Sequence, residues 1–116
     1  MKYLFILNDP AYGTERSYNA LRLAMTLQSQ EPDVEITVFL MGDAVVRAKT
    51  GQKTPDGAYN LERMLKPLVR KGEVLLCGTC MDARGMGEDE AMSGARRSSM
   101  GELTERTAEA DKVLVF

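Results

Sequence analysis

Four apolar runs, at 2–7, 34–41, 73–77 and 112–116, divide this chain of 116 residues. Three of them are near-continuous rather than alternating, the pattern of strands buried on both faces and therefore of a parallel sheet. Helical periodicity fills the gaps. A helix capped by Thr14 should run to about Gln30, with Ala20, Leu23, Ala24 and Leu27 on one stripe and Leu21 and Met25 beside it. Leu61, Met64, Leu65, Leu68 and Val69 predict a second helix over 60–71, kinked at Pro67 and stopped by Gly72. Asp43 should cap a short helix, and Ser99 with Glu102 has capping-box spacing for a last helix ending near Ala110. Connections this long exclude hairpins between the runs. The expected fold is α/β: a three-layer α/β/α, doubly wound arrangement around a mostly parallel sheet of four or five strands. The length suits one domain spanning 1–116. Two stretches, 50–57 and 85–90, are rich in turn formers and read as loops.

Charge and residue usage remove whole classes of chemistry. The net charge is −2 and the basic residues are scattered among acidic ones, so no nucleic-acid partner is expected. No apolar run reaches membrane-spanning length and the first seven residues are too few for a signal peptide, so no membrane partner and a cytoplasmic location are expected. There is no histidine, which excludes Ser-His-Asp and Cys-His schemes within one chain. Two cysteines alone cannot complete a thiolate zinc site, so no metal is expected. The turn at 8–14 has a single glycine and no phosphate-cradling pattern, and no cofactor is expected.

Both cysteines lie in one segment, Cys77-Gly78-Thr79-Cys80, directly after Val74-Leu75-Leu76. That places two thiols at the carboxyl end of a strand, where α/β proteins collect ligands and reactive groups. A reducing compartment makes such a pair reactive rather than structural. Thr79 and Asp82 stand three apart, predicting a short helix from Cys80 to Gly85. Cys80 would then occupy the first turn, whose free amides favour a thiolate, with Cys77 just in front of it. Arg84 is the adjacent cation, Arg96 and Arg97 are available to fold back, and Asp82 opposes them. Tyr12 and Gly13 follow the first strand and are candidates for a pocket wall at the same edge. Two buried cysteines acting as small hydrophobes are the plain alternative. The methionines are read as packing or interface residues, and Glu88-Asp89-Glu90 as a solvated loop.

Taken in order, three segments resemble one family. They are Val74 through Gly85 with its cysteines, the closing stretch from Ser98 through Phe116, and the opening Asn8-Asp9-Pro10 followed by Tyr12-Gly13-Thr14-Glu15-Arg16. Together they resemble the DsrE/DsrF-like proteins, small α/β proteins of sulfur relay and their homologues. The resemblance implies a carrier cysteine eight residues before the glycine of an Arg-Gly pair, which falls on Cys77 before Gly85. The chain departs from the relay members in having Ala83 before Arg84, and a second cysteine at Cys80.

The expected function is therefore sulfur handling, as a carrier or sulfurtransferase. Cys77 would accept and pass persulfide sulfur, Cys80 would act as partner or resolving thiol, and Thr79 and Arg84 would stabilise the anion. The resemblance also implies a homo-oligomer, trimer or hexamer, with sulfur donor and acceptor proteins as partners. Two alternatives stand beside it: a dithiol redox protein using Cys77 and Cys80, and a non-enzymatic oligomeric module that binds a small ligand or partner.

Overall fold

The computed structural model describes residues 1–55 and 59–116. Asp56 and Gly57 of the turn-rich loop lie outside the described residues. Five strands form one sheet: β1 (Lys2–Leu7), β2 (Glu35–Leu40), β3 (Glu73–Cys77), β4 (Ala95–Ser98) and β5 (Lys112–Val115). Their order is β4-β3-β2-β1-β5 and every pairing is parallel. Four helices connect them: α1 (Arg16–Gln30), α2 (Leu61–Lys71), α3 (Gly78–Ala83) and α4 (Met100–Glu109). From β1 to β3 the chain steps one way across the sheet, so the right-handed crossovers through α1 and α2 share a face. From β4 to β5 it returns across the whole sheet, which puts α4 on the other face. This is the expected doubly wound α/β arrangement.

Burial explains why the central strands were legible. Leu4, Phe5, Leu7, Val38, Phe39, Leu40, Leu75 and Leu76 are all at most 1% exposed. Truncating one such leucine or phenylalanine to alanine removes about 2–5 kcal/mol. Helix α1 buries Ser17, Ala20, Leu21 and Ala24, while Leu23, placed on the buried stripe by its spacing, is exposed. No side chain caps α1: Glu15 holds the cap position, and Thr14 Oγ1 accepts from Arg16 N and donates to Asp9. Asn60 caps α2 by accepting from Arg63 N, and the helix continues through Pro67. Gly72 ends it for a packing reason, since a Cβ there would lie 2.3 Å from the Ile36 carbonyl oxygen.

One further expectation needs correction, and the sheet takes the larger of its two expected sizes. The stretch over 42–48 is a 3-10 helix without a side-chain cap, and Asp43 instead pairs with Arg84. Its Arg47 is fully buried, with Nη2 donating to the Asp9 carbonyl at 2.6 Å, and burial lowers the guanidinium pKa to about 10 despite the Asp9 carboxylate. Strand β4 is the fifth strand, in a segment that shows no apolar run. Its register sets Arg96 beside Leu75, Arg97 beside Leu76 and Ser98 beside Cys77.

Candidate functional site

The turn from β3 into α3 carries both thiols. Helix α3 begins at Gly78, two residues earlier than the Thr79–Asp82 spacing predicts, so Cys77 holds the cap position and Cys80 is the third helical residue. The hydroxyl and the carboxylate that suggested a capping box are engaged elsewhere. Thr79 Oγ1 lies 3.3 Å from Cys77 Sγ, and Asp82 grips Arg97 through both oxygens at 2.8 Å.

Both cysteines are free thiols, Cys77 only 5% exposed and Cys80 half-buried. Burial pushes the Cys77 thiol up. Hydrogen bonds from the Cys80 and Thr79 side chains, aided by their backbone N–H groups, outweigh it and leave the thiol below its ordinary range. The Cys77 side chain makes no capping hydrogen bond of its own at the start of α3. For Cys80 the balance is reversed. Burial and the hydrogen bond it donates to Cys77 push it up, against a backbone N–H from Gly42 and the charge of Arg84. The first-turn position that favours Cys80 in an isolated helix is therefore overridden by its neighbour. The two shifts run in opposite directions, Cys77 down and Cys80 up.

The remaining candidates fall in different places. Arg84 bonds Asp43 at 2.9 Å and the Cys80 carbonyl at 3.1 Å, so its charge bears on Cys80. Tyr12 and Gly13 line a hollow of about 260 Å³ with Thr14, Tyr18, Tyr59 and Leu61. Neither cysteine contributes to its wall. The Tyr12 hydroxyl donates to Gln52 and accepts from Leu61 N, which ties the loop after β1 to the start of α2. A larger hollow of about 440 Å³, walled by Lys2, Ile36, Glu73 and Arg106 among others, sits at the amino ends of the strands. In a parallel sheet that is the end away from the reactive turn. Among the described residues no three Cys, Asp or Glu side chains cluster as a metal ion would need, and no helix is long and apolar enough to cross a membrane.

Sequence reasoning passed over one group at this turn, the Gly42 N–H, brought to Cys80 by the bend after β2 at a glycine with φ +58°. Of the two arginines named as available to fold back, Arg97 does so, its guanidinium packing so closely on Gly78 that a Cβ there would meet its Cζ at 2.7 Å. The first required knowing that β2 pairs with β3, and the place of the second that β4 does.

The full span, residues 1–116, matches the DsrE/DsrF-like family. Protein YchN of Escherichia coli K12 is 40% identical over 116 residues, covering 99% of this chain and 98% of that protein. An uncharacterised protein of Methanocaldococcus jannaschii, MJ0989, is 35% identical over all of both chains. The crystal structure of the E. coli ychN protein superposes with a TM-score of 0.94 at 39% identity, covering 100% of this chain and 99% of that one. A protein of unknown function from Methanobacterium thermoautotrophicum, MTH1491, shares the fold, with a TM-score of 0.81 at 15% identity over 99% and 98% of the two chains.

Proposed function

Because the chain belongs to the DsrE/DsrF-like family, we propose that it carries sulfane sulfur on Cys77. Family membership points to sulfur-relay chemistry in general. The observation that supports the specific reading is the asymmetry of the thiol pair: Cys77 Sγ lies 3.3 Å from the Thr79 hydroxyl and its pKa is lowered, while that of Cys80 is raised. The Cys77 thiolate attacks the outer sulfur of a donor persulfide R–S–SH. The donor S–S bond breaks, R–S⁻ leaves, and Cys77–S–SH remains. An acceptor thiolate then attacks that outer sulfur and expels the Cys77 thiolate. Cys80 offers a second exit: its thiolate attacks the inner sulfur, expels HS⁻ and closes a Cys77–Cys80 disulfide.

Intact mass after incubation with a persulfide donor tests this. The wild type should gain about 32 Da, one sulfur atom. Cys77→Ser should lose the adduct, and Cys80→Ser should keep it longer. An adduct that survives Cys77→Ser contradicts the assignment, and thiols closed to alkylation in the native protein contradict any thiol chemistry here.

One observation favours a dithiol redox protein as the second reading. Helix α3 starts directly behind the first cysteine, the arrangement of redox Cys-x-x-Cys motifs. A wild type that forms the disulfide readily and never holds sulfur would establish that reading. The family resemblance further supports a homo-oligomer, trimer or hexamer, as the working unit. Val113 and Val115 on edge strand β5, with Met100 on α4, supply exposed apolar surface for it. Light scattering should give a mass of three or six chains, and a monomer throughout the micromolar range would contradict this.

A further inference from the structure

Arg97 stands where a cation for the Cys77 sulfur is needed. It lies on β4 next to Ser98, the register partner of Cys77, and its guanidinium rests on Gly78, the residue that follows Cys77. Asp82 holds it there through one fork, taking a hydrogen from each of Nη1 and Nη2 at 2.8 Å. A guanidinium has five N–H donors and can present a second two-donor edge, made by Nε and the other Nη2 hydrogen. The guanidinium lies with its flat face on Gly78, Cζ and Nε at 2.7 Å and Nη2 at 2.9 Å from a Cβ built there, so that second edge is left open beside the reactive turn. Among the described residues Nε has no protein partner, and the side chain is 38% exposed. The glycine is needed because any side chain at position 78 would occupy the space the guanidinium fills.

Arg84, the cation nearest in sequence, is already committed. Its Nε and Nη2 are taken by Asp43 and its Nη1 by the Cys80 carbonyl.

We propose that Arg97, rather than Arg84, is the anion-holding residue of this site: its Nε/Nη2 edge receives the Cys77 sulfur anion, first as thiolate and then as the terminal sulfur of the persulfide. The sulfur-transfer part rests on the reading above, while the effect on the thiolate does not. Asp82 fixes the guanidinium over the turn and also mutes its charge. The groups bearing on Cys77 are Thr79 and Cys80 from α3 and Arg97 from β4, with Asp82 and Glu88 acting on Arg97 and the Asp43–Arg84 pair beyond Cys80.

The test is site-resolved alkylation of Cys77 across pH in the full chain, paired with the decay of its sulfur adduct. In Arg97→Ala the Cys77 midpoint should rise by about half a pH unit or more, and the adduct should decay about threefold faster or more. Arg97→Lys should recover part of the shift, Asp82→Asn should lower the midpoint, and Arg84→Ala should leave it in place. All the substituted side chains are solvent-facing, so the variants should fold, as thermal melts will verify. An unchanged midpoint in Arg97→Ala, or a larger shift in Arg84→Ala, overturns the inference. A wild type that takes no sulfur overturns the sulfur-carrying reading instead, and the alkylation profiles then decide the role of Arg97 alone.

Discussion

Arg96 and Arg97 adjoin on β4 yet serve opposite faces of the sheet. Arg96 turns to the α4 face and joins a closed network. It donates to Glu102 at 2.6 and 2.8 Å and to Glu73 at 3.4 Å, and Arg106 bonds the same two carboxylates. Thr37 and Ser98 donate to what remains, so every oxygen of both acids is taken. Arg97 bonds one acid, Asp82, and lies with its flat face on Gly78 and its Nε without a protein partner among the described residues. Two neighbouring residues of one type thus differ in the number of acids around them. A cation shared between two acids holds elements together, and one gripped by a single acid keeps more of its charge for a third group.

Breaking the closed side should have the largest effect on stability. Glu102→Ala leaves Arg96 and Arg106 to share Glu73 alone and should cost about 1–2 kcal/mol, with Cys77 reactivity unchanged. Denaturant unfolding and alkylation of the same sample check both halves. A change in thiol reactivity would mean that the two faces are coupled.

The acid limb sharpens the same contrast. Hydrogen bonds from Arg96 and Ser98 lower the Glu102 pKa to about 2, against about 4.3 for an unfolded glutamate. Its contribution is complete above the unfolded value and is lost as pH falls through the folded one. The melting temperature should therefore fall between about pH 5 and pH 2 in the wild type and less steeply in Glu102→Gln. Parallel curves for the two proteins would contradict the network.

The smallest expected effect belongs to the open side. Gly78→Ala adds a methyl group where the Arg97 guanidinium rests, and that flexible side chain can move away. The melting temperature should stay put while the pH midpoint for Cys77 alkylation rises. A marked loss of stability would mean that Arg97 is structural after all.

The same comparison shows what hydropathy could reveal. Strands β1 and β3 were legible to the residue because burial on both faces demands an unbroken apolar run, as in Val74-Leu75-Leu76. Strand β4 was hidden because it is an edge strand with one neighbour, and its Ala95-Arg96-Arg97-Ser98 carries charges on both faces. The cysteine pair was legible as chemistry, but the order of its two thiols was not. That order depends on Thr79 turning to Cys77 and Asp82 to Arg97, contacts that remove the suggested capping box and shift the helix start to Gly78. Arg97 was named with Arg96 as able to fold back, but choosing between them and Arg84 needed the register of β4.

The central claim is that this turn lowers the pKa of Cys77 and raises that of Cys80. Alkylating the wild type over a range of pH, and quantifying each cysteine by peptide mass, tests it most directly. Midpoints, rather than absolute rates, remove the difference in exposure between the two residues. Cys77 should titrate at the lower pH even though it is the more buried. A lower midpoint at Cys80 would contradict the account.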